Sequence, residues 1–152
     1  LVPLDATIDA EAALGPAEEL ARRLGGQLRL TMVVATTGTV RGTTAAAATM
    51  LPAATRTMLE IHEQQGVAYL EQIADAVRAR GLTVEAEVTR GEAAARLADE
   101  AVVHEVGLIV LATHGRAGLQ AIWGGSVVAR LLARSRAPVL LLRTVDRERP
   151  SP

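Results

Sequence analysis

The chain has 152 residues, of which 49% are apolar, with a formal charge of −1. That is a length and apolar content for one globular domain, and the near-neutral charge excludes a general field for nucleic acid or anionic membrane. Cysteine is absent, which excludes disulfides, thiolate zinc sites and thiol nucleophiles, and all 16 basic residues are arginine, which excludes a lysine-bearing P-loop. Phe is absent too, with one Trp and one Tyr, so the core must be built from Ala, Val, Leu and Ile.

In chain order, Leu1–Leu4 reads as a first strand ending at Asp5. Ala10, Ala13, Leu14, Ala17, Leu20, Ala21 and Leu24 recur at helical spacing. Gly15-Pro16 inside that stripe predicts a kink or a late helix start, and Gly25-Gly26 predicts its C-cap. Leu28–Val34 is the second strand. Ala35–Ala54, rich in Thr, Ala and Gly without lasting period, predicts an irregular insertion, either a lid or a simple loop. Thr55–Arg80 predicts a long helix with Val67, Leu70, Ile73, Ala74 and Val77 on one face. Leu82, Val84, Ala86 and Val88 alternate with polar residues, the pattern of an edge strand. Gly91 turns into a helix with Ala94, Leu97, Ala98 and Ala101 as its stripe.

Leu108–Leu111 is a short apolar run suited to a strand covered on both faces. Gly115, Gly118, Gly124 and Gly125 follow, then Ser126 as N-cap of a helix from Val127 to about Ser135, then a strand at Val139–Leu142. Free amides at such a helix start, beside glycines, suit a phosphate; the plainer alternative is a loop whose glycines serve turns. The order β-α-β-loop-α-β-α-β-α-β predicts one α/β domain (residues 1–145) with a single open, parallel, five-stranded sheet and helices on both faces. Residues 146–152 read as a frayed tail. No run of about twenty apolar residues occurs, so a cytoplasmic protein without membrane contact is the expectation.

Ala112-Thr113-His114-Gly115, nine residues, then Gly125-Ser126 resembles the nucleotide loop of the universal stress protein family, G-x-x-G-(nine)-G-[S/T], with Ala112 at the first glycine. Val2-Pro3-Leu4-Asp5, Glu18–Gly25 and Pro138–Leu142 extend the resemblance over nearly the whole chain. It implies a Rossmann-like sheet of the adenine nucleotide α-hydrolase type, strand order 3-2-1-4-5. The first and fourth strand tips then meet at the switch point, where open parallel sheets bind ligands.

The resemblance also implies roles. Asp5 faces ribose and phosphate-bound Mg²⁺, a task suited to a carboxylate, although capping a turn is its alternative. Pro3, Leu4 and Val33 line adenine, Val33 through its backbone. Thr7 stands near the first helix start, where an N-cap explains it equally. Leu111, Ala112, His114 and Gly115 wrap ribose and phosphates, Arg116 adds charge beside them or is a solvated surface residue, and Gly125, Ser126 and Val127 hold phosphate.

The implied ligand is ATP (or ADP or AMP) with Mg²⁺, and the implied assembly is a homodimer through Val139–Leu142, an apolar edge of the kind that seeks another chain. No general base with a partner, arginine finger or nucleophile is identifiable, so hydrolysis is expected to be slow at most. His62 and His104 fall on unrelated helices and predict no metal-ligand spacing. Two readings compete with a nucleotide-binding regulatory module. One is the family's class that binds no nucleotide and acts through protein contacts, which Ala112 keeps open. The other is an ATP-dependent enzyme of related fold, whose H-x-G-H or S-G-G-x-D-S loops do not occur here.

Overall fold

The computed structural model describes residues 1–36, 52–114 and 127–144. The elements are β1 (Val2–Pro3), α1 (Ile8–Glu11), α2 (Leu14–Leu24), β2 (Leu28–Val34), α3 (Pro52–Ala79), β3 (Val84–Arg90), α4 (Ala93–Val103), β4 (Ile109–His114), α5 (Val127–Arg134) and β5 (Val139–Thr144).

The first helical stripe is divided. Thr7 caps α1, its Oγ1 accepting the amide of Ala10 at 3.2 Å, and a turn separates α1 from α2. Pro16 falls in the first turn of α2, where a missing N–H breaks no helical bond. Gly25 ends α2 at φ +65°, and the amide of Gly26 returns to the carbonyl of Ala21 at 2.9 Å. This left-handed position is one glycine occupies without strain. α3 starts at Pro52, so the expected irregular stretch Ala35–Ala54 gives up its last residues to the helix; residues 37–51 lie outside the described residues.

Two layers of helix enclose the strands. On one side α2 and α3 pack Ala17, Ala21, Leu70, Ala74 and Val77 against Val2, Leu4, Leu30 and Val110. On the other, α4 and α5 pack Ala94, Leu97, Ala98, Ala101 and Leu131 against Leu1, Ile109 and Leu111. Alternate residues of β4 thus serve opposite faces, as the period-two geometry of a strand requires. In α3 the buried stripe runs through Leu70, Ala74 and Val77 with Gly66 also buried, while Val67, expected on that face, is 48% exposed.

The single five-stranded sheet predicted from sequence is not what the structure contains. There are two parallel sheets, β1-β2-β3 and β4-β5. Among the described residues the backbone hydrogen bonds between them are made by Leu1, whose amine donates to the Leu108 carbonyl and whose carbonyl accepts the Val110 amide, both at 2.9 Å. The reason is local. Val2 and Leu4 turn their peptide groups toward β2, as the register Val2↔Leu30 and the bond from the Leu4 amide to Thr31 show. Alternation directs Leu1 and residue 3 toward β4, and residue 3 is proline, with no N–H to continue the ladder. β3 lies at the edge of its sheet with Glu85 and Glu87 exposed, matching its alternating sequence.

Candidate functional site

The C-terminal tips of β1 and β2 and the inner face of α3 enclose a hollow of about 350 Å³. Asp5 and Ala6 form one wall, Met32, Val33, Val34 and Ala35 the floor, and Leu59, His62, Gln65, Gly66 and Tyr69 the roof. The volume is at the lower end of the range for small-molecule pockets, and the mixture of an apolar floor with a few polar groups is typical of them.

The chain builds this site by three local devices. Ala6 adopts φ +61°, a left-handed conformation that turns the chain sharply between β1 and α1. Thr7 then orients Asp5, whose Oδ1 accepts both the Thr7 amide at 3.1 Å and the Thr7 hydroxyl at 2.6 Å. Oδ1 of this exposed carboxylate closes the turn, and among the described residues Oδ2 has no hydrogen-bond donor. Both roles weighed for Asp5 and Thr7 in the sequence are therefore compatible in one geometry. Third, Gly66 lets α3 lie close to β2: a Cβ built there would stand 3.0 Å from Met32 Sδ and 3.6 Å from Val88 Cγ2.

Tyr69 donates its hydroxyl to Glu11 Oε1 at 2.9 Å, tying α3 to α1 across the end of the hollow. Burial, that hydrogen bond, and the charges of Glu11 and Asp5 push its phenol well above the ordinary range, so it stays a neutral donor. A second hollow of about 350 Å³ adjoins the first through Ala35 and Leu59 and carries Arg56, Glu60 and Arg90. Arg90 is paired there with Glu63, whose carboxyl that contact holds below its usual range.

The sequence-predicted residues divide into three groups. Asp5 and Val33 line the same hollow. Pro3, Leu4, Thr7, Leu111, Ala112 and Val127 are not among its walls: Leu4 and Leu111 are buried in the two cores, and Thr7 acts through Asp5. His114 ends β4, and α5 begins at Val127 as the sequence predicts. Gly115, Arg116, Gly125 and Ser126 lie outside the described residues, as does Trp123.

The α3 residues of the roof were not foreseen. The available signal was Gly66 itself, a glycine in a helix interior, which usually marks close packing. Next to α5, Glu92 caps α4 by accepting the amides of Ala94 and Ala95 at 3.1 and 2.9 Å and faces Arg130 and Arg134 at 3.2 and 3.8 Å. Desolvation alone raises the Glu92 pKa, but the two amides and two arginines together hold it below the usual range.

Among the described residues Asp5 belongs to no group of three ligating side chains, so a Mg²⁺ held by them would need phosphate oxygens to complete its shell. The structure does bring His104 together with Glu87 and Glu100, although no metal-ligand spacing was read around His62 and His104 in the sequence.

The sequence matches the universal stress protein family over residues 1–143. No curated protein matches it significantly. Among solved structures, it resembles a universal stress protein family member from Burkholderia pseudomallei, with 25% identity, TM-score 0.69, and coverage of 93% of this chain and 92% of the other. It also resembles the universal stress protein UspA from Lactobacillus plantarum, with 21% identity, TM-score 0.72, and coverage of 93% and 94%. A third is a universal stress protein family protein from Arabidopsis thaliana with AMP bound, with 17% identity, TM-score 0.67, and coverage of 99% and 94%. Among the described residues no helix is long and apolar enough to cross a membrane.

Proposed function

The chain belongs to the universal stress protein family, and on that premise we propose that it binds an adenine nucleotide (ATP with Mg²⁺, or ADP or AMP) as a dimeric regulatory module of the stress response. The observation that carries this reading is the hollow shared by Asp5 and Val33. Its apolar floor suits a flat base, and the exposed, half-committed carboxylate at its edge suits ribose hydroxyls or a phosphate-bound cation. The AMP carried by the Arabidopsis thaliana structure of the same fold gives the ligand class. Phosphates then extend toward the end of β4 and the start of α5, where helix amides favour anions. Any hydrolysis is expected to be slow, since the sequence offers no identifiable arginine finger or nucleophile.

Dimerisation uses β5. It pairs with β4 on one side, its other edge has no partner among the described residues, and Val139–Leu142 offer only apolar side chains. Such an edge is satisfied by a second copy. The alternative function, a dimer that binds no nucleotide and works through protein contacts, follows from Ala112. This half-buried alanine stands where the resembled loop begins with glycine.

The test is release of nucleotide from the purified, denatured protein, together with the shift of melting temperature by Mg-ATP. Bound adenine nucleotide and stabilisation of about 2.7 kcal/mol at a hundredfold excess over Kd support the first reading. Absence of nucleotide and an unshifted melting curve at millimolar Mg-ATP favour the second.

A further inference from the structure

Beyond the nucleotide site, and independent of it, a second cluster of ligating groups lies where α4 packs over β2 and β3. Arg29, only 13% exposed at its side chain, is hydrogen-bonded by its two terminal nitrogens to Glu85 and Glu87. Its Nε faces Glu100 Oε2 at 3.4 Å, yet neither atom makes a hydrogen bond although both are buried. The Glu100 side chain is nine-tenths buried, and the same Oε2 stands 3.3 Å from His104 Nε2. Glu87, Glu100 and His104 each offer one ligand atom within 4.8 Å of the others.

The charge balance favours a further cation. Three carboxylates (Glu85, Glu87 and Glu100) face one guanidinium, and Glu100 keeps a buried oxygen that no donor satisfies. A divalent ion beside it supplies positive charge there. Arg29 does not fill this role, because its two arms are drawn to the outer carboxylates and only its Nε is turned toward Glu100.

The donor set defines the kind of ion. Glu100 and His104 stand one helical turn apart on the same face of α4, and Glu87 comes from the adjoining strand. Two carboxylates and an imidazole suit zinc and its transition-metal neighbours, whereas magnesium and calcium take oxygen ligands. His104 and Arg29 also line a cavity of about 500 Å³ at the N-terminal ends of the strands, which gives an ion a route from solvent and room for a water ligand.

We propose that Glu87, Glu100 and His104 bind one divalent transition-metal ion of the Zn²⁺ class, under α4, on the opposite face of the sheet from the α3 roof of the nucleotide hollow. The ion ties β3 to α4 and satisfies the orphaned oxygen of Glu100.

The experiment is isothermal titration of the metal-free, full chain with Zn²⁺ alone, no nucleotide added, with Mg²⁺ as the comparison ion. The expected result is one Zn²⁺ per chain at micromolar Kd or tighter, with no comparable Mg²⁺ binding. His104→Gln and Glu100→Gln each weaken it at least about tenfold, the loss that even an outer partner of a metal ligand produces. His62→Ala leaves it unchanged. If Glu100→Gln fails to fold, His104→Gln decides, because the His104 side chain is 36% exposed and its replacement leaves the core intact. Absence of saturable Zn²⁺ binding overturns the proposal, and so does equal affinity in folded His104→Gln, which places the ion elsewhere.

Discussion

Replacing Gly66 by alanine separates the stability of the fold from the capacity of the hollow. In a helix interior the change favours folding by about 0.8–1 kcal/mol through propensity alone. Against this, the new methyl stands 3.0 Å from Met32 Sδ and 3.7 Å from Met32 Cε. Those atoms are the flexible end of an unbranched side chain, so Met32 gives way by rotamer adjustment at a cost of about 0.5–1.5 kcal/mol. The two effects nearly cancel, and global stability is expected to change by less than about 1 kcal/mol. Met32 is, however, part of the floor, and the space beneath Gly66 is the space a base would occupy. Displacing the thioether into it is expected to weaken adenine nucleotide binding at least about tenfold, equivalent to about 1.4 kcal/mol. Urea denaturation measures the first quantity and calorimetric titration with Mg-ATP the second. A folded Gly66→Ala protein with undiminished nucleotide affinity would refute the placement of the base under α3.

Other consequences follow from the same geometry. Ala6→Gly removes a left-handed alanine worth about 1–2 kcal/mol of strain, less the extra unfolded-state freedom of about 0.4–1 kcal/mol, so chemical denaturation should show a modest net gain. Thr7→Val removes the cap of α1 and the hydroxyl donor to Asp5, while the amide donor stays; denaturation should register a loss of about 1 kcal/mol, with weaker Mg-nucleotide affinity in calorimetry. Glu18, buried and bonded to Arg80 at 2.6 and 2.8 Å and to Arg22 at 3.3 Å, has its pKa lowered chiefly by the Arg80 hydrogen bond. Its contribution is present above the unfolded value near 4.5 and is lost as pH falls through the lower folded value. The acid limb of a stability–pH profile should therefore be shallower in Glu18→Gln than in the parent, and parallel limbs would contradict this.

Local signals carried much of this architecture. The bounds of β2 were legible because Leu28–Val34, apolar but for Arg29 and Thr31, is bracketed by Gly25-Gly26 and the Thr-Ala-rich stretch. The edge position of β3 was legible because Glu85 and Glu87 alternate with apolar neighbours. The seam between the two sheets was not, since it depends on which way the peptide of Pro3 faces, and strand direction is settled only by pairing with β2. Val67 was misplaced because periodicity favours the larger apolar residue, whereas the helix turns its glycine toward Met32 to approach the strand.

Asp5 was readable as the end of the first strand, and Val33 came only through the family resemblance; the structure sets both at one hollow, whose roof comes from a helix whose approach no spacing encodes. His104 illustrates the same limit: four residues link it to Glu100, but only the packing of α4 over the sheet brings Glu87 within reach.

The most direct test is a titration of isotopically labelled protein with Mg-ATP, followed by amide NMR. The account predicts that the resonances of Asp5, Val33, Val34 and Gly66 shift together and saturate at one nucleotide per chain. Silence at those four amides at millimolar Mg-ATP, or shifts confined to another face of the molecule, would contradict it.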